Sequence, residues 1–193
     1  MNTDINKIKQ LGKDSIIKLG YLQAQQIYGR TKKNINISNF DKITVSANSK
    51  HVWVTFLNPV IYLPINSAYY NGLGINITDN SASCGIIANP VDYKYKDTDL
   101  AFYSPTKESK KAIEFVLNAV GVKTTADKKK FIENMVGGLV IRENKNYYDI
   151  EVVSEYMDSN YKIDKTTGKI YDEMHAHLIP DPNKEKDPMV EIK

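Results

Sequence analysis

The chain has 193 residues, of which 41% are hydrophobic and 25% charged, with a formal net charge of +3. That length favours a single domain with its own core, and the composition is too apolar for a disordered chain. No stretch approaches the roughly 18 consecutive apolar residues of a membrane span.

Met1-Asn2-Thr3-Asp4-Ile5 shows no basic segment leading into an apolar block, so no secretory leader is visible. The expected location is cytoplasmic, or periplasmic had a leader been removed. A lone cysteine, Cys84, offers no internal disulfide and no thiolate set for zinc. Charge is divided unevenly. Residues 1–96 carry +6 and no glutamate, while residues 97–193 carry −3. The carboxylates gather at Asp149, Glu151, Glu155, Asp158, Asp164, Asp172 and Glu173. Nucleic acid is a poor partner for such a chain, because only Arg30 and Arg142 supply the planar guanidinium that reads phosphates and bases in pairs. Thirteen tyrosines suit either half-buried strands or an interface.

Asp14-Ser15 can cap a helix whose apolar face is Ile17, Tyr21, Ala24 and Tyr28, with Gly29 as its stop. An earlier turn through Ile5, Ile8 and Leu11 meets a weak point at Gly12. From Lys42 the period changes to two. Ile43, Val45 and Ala47 alternate, Asn48-Ser49-Lys50 makes a hairpin turn, and Val52, Val54 and Phe56 oppose His51, Trp53 and Thr55. Pro59 and Pro64 bound Val60–Leu63, which predicts an edge strand or an extended crossing segment. Asn66–Asn80, with Gly72 and Gly74, reads as a loop entering a strand near Ile75-Asn76-Ile77, with Cys84–Ala88 as its partner.

Ser104 as N-cap and Pro105 at the first helical position predict a helix with Ile113, Val116, Leu117 and Val120 as its stripe, ended by Gly121. A short helix follows over Thr125–Met135, burying Phe131, Ile132 and Met135. After Gly137-Gly138 the strands resume. Leu139-Val140-Ile141 turns at Glu143–Asn146 into Tyr147–Glu155, with Tyr148, Ile150 and Val152 on one face and Tyr147, Asp149, Glu151 and Val153 on the other. Tyr161-Lys162-Ile163 then turns through Asp164–Gly168 into Lys169–Ile179. Pro180, Pro182 and Pro188 predict an extended tail over 181–193, leaving 1–180 as one domain. The fold class is α+β: an N-terminal helix, antiparallel sheet or sheets, two central helices and a C-terminal antiparallel meander.

The helix over Glu108–Val120, followed by strands ending in Tyr161-Lys162-Ile163-Asp164-Lys165-Thr166-Thr167-Gly168-Lys169-Ile170, resembles the hairpin of PepSY-type domains and of small NTF2-fold bacterial immunity proteins. The resemblance covers the last third of the chain. It implies an antiparallel sheet cradling a helix and a non-catalytic role in binding or inhibiting another protein, and it transfers no functional residues.

His175 and His177 stand two apart on a strand, on one face with Glu173 and Tyr171, a pattern that can begin a metal site. His51 is the remaining histidine and a further candidate ligand or base. Neither His51-Val52-Trp53 nor His175-Ala176-His177 carries the hydroxyl of a two-histidine phosphoesterase motif. Cys84 reads as a small buried hydrophobe, and no phosphate-binding glycine loop or esterase elbow is present. The leading expectation is therefore a non-enzymatic soluble bacterial protein without cofactor, immunity- or inhibitor-like. It would bind another protein, basic in character, through Tyr147, Tyr148, Tyr161 and Tyr171 with Asp149 and Glu151 around them. The alternatives are a hydrolase holding a divalent metal on His175, His177, Glu173 and His51, and a small-molecule cavity lined by the His51 and Trp53 face.

Overall fold

The computed structural model describes residues 5–28, 35–89, 100–154, 157–177 and 187–193. Two helices, α1 (Ile5–Gln10) and α2 (Lys13–Tyr28), open the chain, and Gly12 at φ +77° separates them as expected. The buried face of α2 is Ile16, Gly20 and Ala24. It is rotated from the expected face, so that Ile17, Tyr21 and Tyr28 pack along its margin. The reason is Gly20. A Cβ there would stand 2.8 Å from Val54, so the missing side chain lets the helix lie directly on the sheet beneath.

That sheet has the order β10-β1-β2-β4-β5, where β1 is Lys42–Ala47, β2 Val52–Leu57, β4 Ser67–Asn76, β5 Ser81–Asn89 and β10 Val190–Glu191. Asn48 makes the first turn as expected, its Oδ1 accepting from the amides of Lys50 (2.9 Å) and His51 (2.8 Å). Val45, Val52, Val54 and Phe56 face the helices and are buried. The loop expected over residues 66–74 is instead most of a ten-residue strand. Its glycines serve close approach rather than a turn: a Cβ on Gly72 would meet the Phe56 carbonyl oxygen at 3.1 Å, and one on Gly74 the Trp53 ring at 3.2 Å. The extended tail, where described, ends as a strand. β10 pairs with β1, the Ile192 amide donates to Val45 O (2.8 Å), and Ser49 N donates to the Asp187 carboxylate.

The second sheet has the order β3-β6-β7-β8-β9, where β3 is Val60–Leu63, β6 Met135–Glu143, β7 Tyr147–Ser154, β8 Met157–Asp164 and β9 Ile170–His177. β3 is the expected edge strand, buried along its whole length and paired parallel to β6. The Leu139 amide opens this pairing by donating to Pro59 O at 2.6 Å. Helices α3 (Lys107–Ala119) and α4 (Thr125–Asn134) cover one face, over Leu139, Ile141, Ile150 and Ile163. The N-cap of α3 is Thr106 rather than Ser104. Thr106 Oγ1 accepts from Ser109 N (3.1 Å) while Ser109 Oγ accepts from Thr106 N (2.7 Å), whereas Ser104 has Lys107 three residues on and no such reciprocal partner. Met135 begins β6 instead of ending α4.

Gly138 has φ +95°, and a Cβ on it would sit 2.7 Å from the Pro59 carbonyl oxygen; Gly121 has φ +88° with open space around it. Gly138→Ala is expected to cost more than ~2 kcal/mol and Gly121→Ala only about 1 kcal/mol, since both bear left-handed strain but only the first meets backbone. Urea unfolding of the two variants measures the difference.

Candidate functional site

The expected site residues fall on the C-terminal meander, and the sheet divides them between its two faces. Register places Tyr147, Asp149, Glu151, Asp158, Asn160, Lys162, Asp172 and Met174 on the face turned away from α3. Tyr148 and Tyr161 turn the other way and pack against the helix-side core. Of the six residues expected to form an interface, four therefore share the outer face: Tyr147, Asp149, Glu151 and Tyr171.

Tyr171 reaches that face through a bulge. Lys162 opposes Asp172 while Ile163 opposes Ile170, which leaves Tyr171 as the extra residue. It consequently leaves the side of Glu173 and stands edge-on to Tyr147, with ring centroids 6.0 Å apart. Tyr171 is 54% exposed and Met174 61%. Asp149, Asn160, Lys162, Asp172 and Met174 border a shallow concavity of about 380 Å³. The acidic row is interleaved with cations: Arg142 Nη1 donates to Glu151 (2.9 Å) and Lys162 Nζ to Asp172 (2.6 Å). Among the described residues this face carries five carboxylates, Asp149, Glu151, Asp158, Asp164 and Asp172, against Arg142 and Lys162, so a negative excess survives. Glu155 lies outside the described residues.

On the helix side the two outer strands bring together a set that the sequence reading missed in part. Ser159 lies directly across from His175, and the two share a hydrogen bond between Oγ and Nδ1 at 2.8 Å. His175 Nε2 meets Glu173 Oε1 at 2.6 Å. An imidazole carrying its proton on Nε2 donates to Glu173 and accepts the Ser159 hydroxyl. These are the atoms of a serine–histidine–carboxylate relay, but Ser159 is only 4% exposed and none of the three described cavities is lined by it. A nucleophile must reach its substrate. The arrangement instead joins two strands. The side chain of His177 lies outside the described residues.

His51 lies in the turn between β1 and β2, at the other sheet. Asn76, 2% exposed, donates from Nδ2 to His51 Nδ1 (3.0 Å) and to Asp79 Oδ2 (3.0 Å). Among the described residues, no three of His, Cys, Asp and Glu converge as a metal site would require. A cavity of about 530 Å³ opens between the 3-10 turn Ile37–Asn39 and helices α3 and α4, over Val60, Ile113, Leu117 and Ile132. Neither His51 nor Trp53 lines it.

A third group ties the end of the meander to β3. Tyr62 OH donates to Glu143 Oε2 (2.7 Å), Lys165 Nζ donates to Glu143 Oε1 (2.5 Å), and the same ammonium lies 5.3 Å from the centre of the Tyr148 ring. Burial drives the Tyr62 phenol pKa well above its ordinary value, and the hydrogen bond to Glu143 adds to this. Burial also works against the Glu143 carboxylate, but Lys165 and the Tyr62 hydroxyl outweigh it and hold that pKa below the ordinary value.

No family model matches the chain, and no curated protein matches it. Among solved structures the chain is similar to the Bacillus megaterium YpeB C-terminal domain, at 13% identity and a TM-score of 0.23. The match covers 82% of this chain and 64% of that one, so the chain spans less than two thirds of its length. A TM-score that low carries neither fold nor role across.

Two outcomes follow from these contacts. His175→Ala leaves the Ser159 hydroxyl without its partner and is expected to cost about 1–3 kcal/mol. Adding Ser159→Ala should recover part of that loss in a double-mutant cycle, because the orphaned group is gone. Glu143 has a depressed pKa, so its stabilising contribution is present above the unfolded value near ~4.3 and is lost as pH falls through the folded value. Glu143→Gln is expected to flatten the acid limb of a stability-against-pH curve below about pH 4.3.

Proposed function

We propose that the protein acts without turnover, by binding another protein through the outer face of the C-terminal meander, in the manner of an immunity or inhibitor protein. The observation that carries this reading is the exposed Tyr171 standing edge-on to a half-buried Tyr147, set beside the exposed Met174 and a concavity edged by Asp149 and Asp172. Rigid aromatic rings give large contact area at little entropic cost, and methionine adapts to the shape it meets. Exposed apolar side chains rimmed by charge are the anatomy of a recognition surface rather than of a solvated sheet.

The carboxylate excess selects a basic partner, and Lys162 and Arg142 hold Asp172 and Glu151 in fixed positions. The charges around the concavity thus act on encounter and orientation, and the tyrosines act on dissociation.

A photo-crosslinking amino acid placed at position 147 in the producing cell is expected to trap a protein partner. Tyr171→Ala should weaken that partner's affinity by ~30-fold, in the range of a buried aromatic anchor. Asp149→Lys should slow association and reduce its salt dependence. The reading fails where no adduct forms, or where the trapped protein binds the Tyr171→Ala and Asp149→Lys variants as it binds the native chain.

A further inference from the structure

The free edge of β9 points to a second partner: another copy of this chain. Among the described residues β9 is the terminal strand of the second sheet, and residues 171–176 are all exposed. The other edges differ. β3 is buried along its length, β10 has two residues, and β5, tied at its far end by Asn89 and by Arg142 Nε, which donates to Ala88 O at 3.4 Å, carries no charged side chain that would choose a register. Alternate N–H and C=O groups of an edge strand project away from its neighbour and accept a further strand.

The side chains of β9, Ile170-Tyr171-Asp172-Glu173-Met174-His175-Ala176-His177, contain neither lysine nor proline, the usual blocks on edge pairing. They do contain charges, and these choose the partner. We infer that β9 pairs antiparallel with β9 of a second copy, in the register that sets Met174 opposite Met174 across a two-fold axis. In that register Glu173 opposes the second copy's His175, and His175 opposes its Glu173. Asp172 opposes Ala176, and no carboxylate meets a carboxylate. Directly opposed residues share a face, so both Glu–His pairs lie on the helix side, where Glu173 and His175 already stand 2.6 Å apart within one chain. Shifting the axis to Glu173 puts two glutamates in contact, and shifting it to His175 puts two histidines in contact. The carboxylates that would repel an arbitrary acidic strand meet only histidine and alanine about Met174, which is 61% exposed in the single chain.

The inference shares Met174 and Asp172 with the partner-binding face but does not rest on that reading, because it uses the backbone edge and the helix-side pairs. Pairing would extend the second sheet from five strands to a continuous sheet of two copies and set two outer faces side by side.

The test is the molar mass in solution by sedimentation velocity over a concentration series. The native chain is expected to dimerise, and His175→Glu, which sets glutamate against glutamate twice, should weaken the dimer by at least about tenfold. The double variant Glu173→His with His175→Glu restores opposite residues only in the register about Met174, so it should recover the dimer. Met174→Cys in a Cys84→Ser background should form an intermolecular disulfide on oxidation, and Asp172→Cys should not. Circular dichroism of each variant reports that it is folded. A native chain that stays monomeric at every concentration overturns the inference, as does a dimer unaffected by His175→Glu or one that the double exchange fails to restore.

Discussion

Between Leu57 and Val60 the chain leaves one sheet and enters another with only Asn58 and Pro59 to do it, and most of the architecture answers to that short passage. Two strands joined so closely cannot stack as a hairpin when they belong to different sheets, so polar groups are carried into the junction and must be paired there. Asn58, 4% exposed, accepts from Asp41 N (3.3 Å) and donates to Tyr103 O (3.4 Å). Tyr103 in turn accepts at its hydroxyl from Tyr62 N (3.2 Å). Asn89, 6% exposed, aims its Nδ2 at Leu63 O, Pro64 O and Glu143 O, carbonyls from both sides of the second sheet's edge. Gly138 then admits the Pro59 carbonyl where any other residue would collide with it.

That junction decides which part of the second sheet is free. Ile61, Leu63 and Tyr103, with Val140, Tyr69 and Ile87 against them, fill the space between the sheets at the β3 end. Toward the far end, Ile150 of β7 and Ile163 of β8 still lie under the helices, while the opposite face is open and β9 is exposed on both. The open face carries the tyrosine pair and the carboxylates, and the open edge carries Glu173, Met174 and His175. The proposed recognition would draw on this division: paired strands hold the side chains in place, and aromatic groups lose little freedom on contact. The Ser159–His175–Glu173 contacts and the Tyr62–Glu143–Lys165 group each cross from one strand to another at the rim of the sheet.

Local chemistry made several elements legible in advance. Asn48 and Asp164 each offer a side-chain oxygen to the amides that follow, and Gly168 has the positive φ that the second of these turns needs. The alternation of Val52, Val54 and Phe56 named their buried face, and the prolines around β3 marked an edge. Where the reading went astray, a contact distant in sequence had intervened. Gly72 and Gly74 looked like a loop because the Phe56 carbonyl and the Trp53 ring that need their bareness are far away along the chain. The face of α2 turned because Gly20 meets Val54. Ser159 gave no signal, since a serine acquires meaning only from the histidine placed opposite it, and Tyr171 changed sides because a bulge is a property of two strands.

What the sequence by itself determined, then, is the identity of the elements and the kind of chemistry available: an α+β chain with one thiol, three imidazoles and a carboxylate-rich final meander. These follow from periodicity, turn residues and side-chain inventory, each of which acts over a few residues. Tertiary structure alone decided that the strands form two sheets joined through a parallel β3–β6 pair, that Tyr148 and Tyr161 are withdrawn from the open face, and that the final residues add a strand beside β1. Those outcomes depend on register and burial between segments far apart in the chain. Such pairings are selected by the energy of the whole packed arrangement, and no single segment contains them.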